Sequence, residues 1–307
     1  MSMERKTLKE LIANGTVTMP GIYDCISARA VELAGYQAAF LSSAGVANSW
    51  CGLPDIGLIS IDEMIWLASR ITDYTSLPLI VSIENGYSDS RNVTFRTVKR
   101  LLKMGVDSVI IDDTDGYRGR DRKDKICVVP ENIWLNKISA ALEAVEGTDC
   151  MVIAKSCAKF VSGLEAAVGR CRKAWELNAH VTSVEGLDSL KEAEIMAKSI
   201  PGSKMWSDLK EKNRKLVVEP EEISRYGFNL ISIYFTEKAS VFGMLDFAKQ
   251  SLKSGDTVYH DQHDFGGIIK PGEDYHKFFS FHKKWLPMEQ RFLDVKELSE
   301  LPNFVKE

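Results

Sequence analysis

The sequence predicts a (β/α)8 barrel of the TIM type followed by a C-terminal extension. Three observations lead there. Eight short apolar runs recur between residues 17 and 235. Each is followed by a stretch with apolar residues at helical spacing, and nearly every run ends in a charged or small polar residue. Strand then helix, eight times in one domain-sized length, is the alternation of a closed parallel barrel. In that fold the strand C-termini and the loops after them form the active face.

The runs are VTMPGIYD (17–24), AAFLSSAG (38–45), LPLIVSIE (77–84), DSVIIDD (107–113), CMVIAKS (150–156), HVTSVEG (180–186), KMWSDLK (204–210) and NLISIYF (229–235). After the first comes DCISARAVELAGY, with Ala28, Val31, Leu33 and Ala34 between polar positions and Gly35 as the stop. A long Gly/Ser-rich connection, residues 42–61, follows the second run and opens into IDEMIWLASRITDY. Long loops on the catalytic face of a barrel are usually functional. The third run turns through NGYSDSRN into VTFRTVKRLLKMG. The fourth is followed by TDGYRGRDRKDKICVVP, a polar flap that mixes Arg118, Arg120, Arg122, Lys123 and Lys125 with acids. Helices NIWLNKISAALEAV, LEAAVGRCRKAWELN, SLKEAEIMAKSI, EPEEISRYG and EKASVFGMLDFAKQSLKSG complete the circuit. Residues 1–255 are thus assigned to the barrel and 256–307 to an aromatic-rich extension. The aromatic surface of Phe278, Phe279, Phe281 and Trp285 is expected to pack on the barrel or on a neighbouring subunit.

Composition bounds the function. The chain has 307 residues, 45% hydrophobic and 27% charged, which suits one large globular core. Its net charge of −4 gives no global basic surface for nucleic acid or an anionic membrane. The N-terminus lacks a continuous apolar stretch, and no run reaches the roughly 18–20 apolar residues that span a bilayer. Six scattered cysteines with no CxxC pair read as free thiols. A cytoplasmic protein is expected.

The strand ends assemble a group of ionisable residues: Asp24, Glu84, Asp112, Asp113, Lys155, Glu185 and Asp208. Glu84 and Asp112 would stand at the ends of adjacent strands, where two carboxylates can share a hard cation. Magnesium takes one or two protein carboxylates and keeps waters for the rest. Glu185 could add an outer contact, and Lys155 could clamp a substrate carboxylate. Ser42, Ser43 and Ala44 put small residues and backbone N–H groups after the second strand, suited to an oxyanion. Asp55 lies further along the same loop. The structural alternatives are that these acids cap helices or pair with cations. The HDQHD cluster (260–264) reads as a solvated tail, and no histidine has a visible triad partner.

With those residues placed, residues 15–255 resemble the isocitrate lyase/phosphoenolpyruvate mutase superfamily, particularly its methylisocitrate lyase-like and oxaloacetate-processing members. The segments that carry the resemblance are GIYDCISARAVELAGYQAAFLSSAGVANSWCGLPDIG (21–57), ITDYTSLPLIVSIENGYSD (71–89) and GVDSVIIDD (105–113). The resemblance implies Mg2+ and an enolate-like species derived from a small 2-oxo or 2-hydroxy acid. It places Ser42, Ser43 and Ala44 on the loop that holds the substrate carboxylate, and Asp55 on the gated segment. Ser82 and Glu84 fall on the two acids of the DADTGYG motif, and Asp112 on the Glu of IEDK, giving Glu84, Asp112 and Ser82 as the metal set. Lys155 falls on a substrate-binding Arg, Glu185 on a sixth-strand Glu and Asp208 near a seventh-strand Asn.

Departures are as informative. Ser82 removes one metal-side charge, and the lyase signature KRCGH reads Arg118-Gly119-Arg120-Asp121-Arg122, without its acid cysteine. The mutase signature KxNS is absent too. The first reading is a Mg2+-dependent enzyme making or breaking a C–C bond of a small carboxylic acid. In it Asp55, Arg118, Lys155 and Glu185 are catalytic, and Ser42, Ser43, Ala44, Lys155, Arg120 and Asp208 bind substrate. Alternatives are a phosphonopyruvate-processing P–C enzyme, favoured by the extra arginines, and a catalytically silent binding or assembly partner. A homo-oligomer, tetramer or dimer, is what the resemblance implies.

Overall fold

In the computed structural model, residues 5–115, 126–209, 211–212 and 215–258 are described. Eight parallel strands close into a barrel: β1 (Val17–Ile22), β2 (Ala39–Leu41), β3 (Leu79–Ser82), β4 (Ser108–Asp112), β5 (Met151–Ser156), β6 (Val181–Val184), β7 (Lys204–Trp206) and β8 (Phe228–Ile233). Each strand pairs with the next in sequence, and β8 returns to β1. Every predicted run therefore supplies one barrel strand. Helices flank them outside, including Ile61–Tyr74, Arg91–Lys103, Glu131–Val145 and Leu164–Glu176.

The two-residue period of a strand sorts side chains between two cores. Met19, Phe40, Ile80, Ile110, Ile153 and Leu230 share a cluster inside the barrel. Their alternating neighbours, Val81, Val109, Ile111 and Val152 among them, pack outward beneath the helices. One helix that the sequence pattern did not announce, Leu8–Ala13, adds Leu8 and Leu11 to the inner cluster. Thr7 and Glu10 cap it reciprocally, with the Glu10 amide donating to Thr7 Oγ1 and the Thr7 amide to Glu10 Oε2.

The long 42–61 connection carries structure of its own. Ser42 Oγ accepts from the Gly45 amide at 3.2 Å and starts the turn Ser43–Val46. That turn widens into a π-type turn over Ala47–Cys51, ended by left-handed Gly52. After β7 comes a small antiparallel hairpin, Glu211–Lys212 with Lys215–Leu216, also unannounced by the pattern. By its internal contacts the chain divides into two units between Ser240 and Val241, inside the helix Thr236–Ser254. In the second unit Val241, Phe242, Met244 and Leu252 are exposed apolar side chains on that helix. Among the described residues, no helix is long and apolar enough to cross a membrane. All six cysteines are free thiols, and Cys150, Cys157 and Cys171 are buried.

Lys204 at the start of β7 yields a stability prediction. It is 2% exposed, and its Nζ donates to the Gly202 carbonyl at 2.6 Å. Burial pulls its ammonium down from 10.5 to about 8. Because the folded value lies below the unfolded one, the protonated form costs stability in full below pH 8. That cost fades as pH rises from 8 to 10.5. Lys204→Met is therefore expected to be more stable than the parent at pH 7 by about 1–2 kcal/mol, the lost hydrogen bond offsetting part of the relief. Urea unfolding at pH 7 and pH 10 checks this, since the advantage must shrink at the higher pH.

Candidate active site

Two residues beyond the inner apolar layer, the same strand faces turn polar. Counting in twos from Met19, Phe40, Ile80, Ile110, Ile153, Val181, Met205 and Leu230 gives Gly21, Ser42, Ser82, Asp112, Lys155, Ser183, Ser207 and Ser232. Serine predominates, and the hydroxyls are tied to one another and to the backbone. Ser183 Oγ lies 2.7 Å from Ser207 Oγ and donates to the Met205 carbonyl at 2.9 Å, while Ser232 Oγ donates to the Ser207 carbonyl. Asp112 and Lys155 are the acid and base side chains in this layer.

Those two sit opposite each other across the β4–β5 register. Lys155 Nζ lies 3.9 Å from Asp112 Oδ2 and 3.3 Å from Glu185 Oε2, so one ammonium bridges two carboxylates. Asp112 is 1% exposed, and its Oδ1 accepts from the Thr114 amide at 3.1 Å and hydroxyl at 2.6 Å, which fixes the carboxylate plane. Glu84 joins from β3, 6% exposed, its carbonyl accepting from the Asp112 amide at 2.8 Å. Three acidic side chains and one lysine thus gather at the ends of β3 to β6. Buried charge costs several kcal/mol unless compensated.

The turn after Glu84 is wound tightly. Glu84 has φ 52°, Gly86 φ 87° and Tyr87 φ 61°. A left-handed residue with a side chain costs about 1–2 kcal/mol, and such strain gathers at functional positions. The Gly86 amide donates to the Ile83 carbonyl at 2.7 Å, and the Tyr87 amide to Asn85 Oδ1 at 3.1 Å. Lys137, 1% exposed, donates from the helix Glu131–Val145 to the Asn85 carbonyl at 3.0 Å. Glu84 and this turn, with Gly57 and Asp115, line a cavity of about 280 Å3.

Asp112, Lys155 and Glu185 come together through two ion pairs, and Glu84 adjoins them through the hydrogen bond from the Asp112 amide to its carbonyl. Ser82 is 3% exposed on the inward face of β3, and Ser42 and Ser43 are buried at the start of their turn, with Ala44 half-buried beside them. Asp208 is half-buried just past β7, and Asp55 is half-buried in the turn that precedes Gly57. Arg118 and Arg120 lie outside the described residues, as does the HDQHD cluster. Asp24, counted among the converging acids, caps the helix Cys25–Leu33 instead, accepting from the Ser27 amide at 2.7 Å. Asp113 faces away from the mouth: it accepts from Ser156 Oγ and the Cys157 amide, both at 2.6 Å, and pairs with Arg170 Nη1 at 3.0 Å. Burial pushes its carboxyl above the usual range, against the pull of those hydrogen bonds.

A divalent cation fits this donor set. Among the described residues no three His, Cys, Asp or Glu side chains form a ready cage. Two carboxylates beside an open mouth are what Mg2+ ordinarily takes, with water or substrate oxygens completing the shell.

A profile described as phosphoenolpyruvate phosphomutase matches residues 8–245. The chain belongs to this family. It is 29% identical over 293 residues to the petal death protein of Dianthus caryophyllus, covering 94% of this chain and 89% of that one. It is 26% identical to 2-methylisocitrate lyase of Shewanella oneidensis, covering 92% and 96%. A crystal structure of 2,3-dimethylmalate lyase superposes with a TM-score of 0.81 at 22% identity, covering 98% of this chain and 97% of that one, which supports the barrel. These named relatives include lyases, and the family profile is a mutase: the chain is a member of an enzyme family.

One residue escaped the sequence reading. Tyr234 continues the inward series of β8 two positions past Ser232, at the end of NLISIYF. Its signal was the same two-residue period, hidden inside an aromatic run.

Proposed function

We propose that this protein is a Mg2+-dependent lyase that cleaves, or in reverse forms, a C–C bond in a small 2-hydroxy or 2-oxo carboxylic acid. The observation that carries it is the Asp112–Lys155–Glu185 ion cluster at the ends of β4 to β6, with buried Glu84 accepting from the Asp112 amide through its carbonyl. Family membership and relatives named for lyase activity support the C–C reading.

Glu84 and Asp112, with Ser82, would hold Mg2+ largely through water. When bound, the ion supplies Lewis-acid pull on the substrate oxygens. Lys155 clamps the substrate carboxylate and holds Glu185 ready to accept the hydroxyl proton. The backbone N–H groups at Ser43 and Ala44, with Ser42, receive a carboxylate oxygen. Asp208 makes a polar contact at the rim, Asp55 belongs to the gating loop, and Arg118 and Arg120 add positive charge from the flap. The substrate is a small carboxylate. A homo-oligomer is consistent with the exposed apolar side chains on the helix Thr236–Ser254.

The test is a panel of 2-methylisocitrate, 2,3-dimethylmalate and oxaloacetate with Mg2+, followed by proton NMR. Cleavage of at least one is expected. Because the matched profile is a phosphomutase, phosphoenolpyruvate and phosphonopyruvate belong to the same panel, read by phosphorus NMR. A new phosphorus signal without C–C cleavage would move the reading to P–C chemistry. Folded protein that turns over nothing and binds neither Mg2+ nor oxalate, an enolate mimic, would be a silent partner protein.

A further inference from the structure

We infer that Tyr234 is the proton donor of this site, delivering its phenolic hydrogen to the carbon released when the C–C bond breaks. The inference rests on the lyase reading above. Four observations place the side chain. It follows Leu230 and Ser232 on the inward face of β8. Its ring lies over Gly21 of β1, where an added β-carbon would come within 2.8 Å of the ring, so glycine there makes room for it. Phe40, also inward, meets it edge-on with centroids 6.1 Å apart. The residue is 46% exposed, so its ring is not sealed within the core.

The surrounding charges suit an acid. Protein packing, then Glu185, push the phenol above the ordinary tyrosine value, and Asp208 adds to this, while Lys155 and Ser232 oppose. Tyr234 therefore keeps its proton at neutral pH. Among the other described ionisable groups around the mouth, Glu84, Asp112, Glu185 and Asp208 are carboxylates suited to accepting protons, and Lys155 is shared between two of them. A phenol beside a carboxylate base gives the site one group to take a proton and one to give it.

The step balances. The substrate hydroxyl gives its proton to Glu185, and the O–H electron pair becomes the carbonyl π bond. The adjoining C–C bond breaks, and its pair passes to the carbon next to the departing carboxylate. That carbon takes the proton of Tyr234, and the phenolate recovers one from protonated Glu185. The products are a 2-oxo acid and a saturated carboxylate, with no oxidant or other reactant consumed.

Tyr234→Phe keeps the ring on Gly21 and Phe40 and removes only the hydroxyl. With the best-cleaved acid of the panel, kcat is expected to fall about 100-fold, with KM changed less than about threefold and Mg2+–oxalate affinity unchanged. In D2O the parent should add deuterium to one face of the departing carbon of 2-methylisocitrate or 2,3-dimethylmalate, whereas the variant's residual product should carry it on both. Fluorotyrosine at position 234, a more acidic phenol, should shift the alkaline limb of the pH–rate profile downward. A Phe variant that keeps a third or more of kcat, retained one-face deuteration, or an unmoved limb each overturns the donor while leaving the lyase reading intact. Parent protein that cleaves no acid of the panel overturns the lyase reading and the donor with it.

Discussion

Replacing Glu84 with Gln is expected to weaken Mg2+ binding in the presence of oxalate by about 100-fold or more, and turnover by about 1,000-fold. Calorimetry measures the first and the substrate panel the second. Gln keeps the shape and removes one charge, so the comparison isolates the carboxylate. Glu84→Gly should act in opposite directions on function and stability. It removes the proposed ligand, yet it relieves a left-handed residue at φ 52° and a carboxyl side chain that is 6% exposed. The relief exceeds the added chain entropy of glycine, for a net gain of about 1 kcal/mol, or about 2–4 °C in Tm. A side chain held in a strained, buried position for fold reasons alone would not show that pairing of lost binding and gained stability. Unchanged affinity in Glu84→Gln would remove this residue from the metal site.

The architecture was legible because each of the eight apolar runs leads into a helical pattern, and nearly every run ends in a charged or small polar residue. The two-residue period of a strand contained the correction for Asp113. Asp112 and Asp113 are consecutive, and consecutive strand residues point to opposite faces, so only one of them could enter the mouth. Asp112 shares the phase of Ile110 inside; Asp113 shares that of Ile111 outside. Asp24 was likewise marked as a cap by Ser27 three residues on. Other features had no local signature. Lys155 meets Asp112 only because β4 and β5 pair in one particular register, which neither strand specifies alone. The left-handed turn at Glu84 depends on Lys137 and on the close approach of Thr94 to Gly86, both distant in the chain. Tyr234 was in phase, but within the Ile-Tyr-Phe run at the end of β8 it resembles ordinary barrel packing.

Arg170→Met is expected to destabilise the barrel by about 3–5 kcal/mol, lowering Tm on the order of 10 °C. Asp113 is 0% exposed, and among the described residues Arg170 is its cationic partner, contributing Nη1 at 3.0 Å while Nη2 donates to the Val129 carbonyl at 2.9 Å. Removing the guanidinium leaves a buried carboxylate with only the Ser156 hydroxyl and Cys157 amide, and strips the Val129 carbonyl of this donor. Neutralising both ends in Asp113→Asn/Arg170→Met should recover most of the loss, because the penalty lies in the uncompensated charge and not in the missing attraction. Urea unfolding of the two single variants and the double variant measures that coupling. Additive losses would mean that the pair does not act as a unit. The network also reaches the site: Asp113 grips Ser156 and Cys157, the residues that follow Lys155, and it adjoins Asp112. Disturbing it from the outer side of the barrel should therefore shift the Asp112–Lys155 pair and lower kcat, with the double variant recovering activity in step with stability.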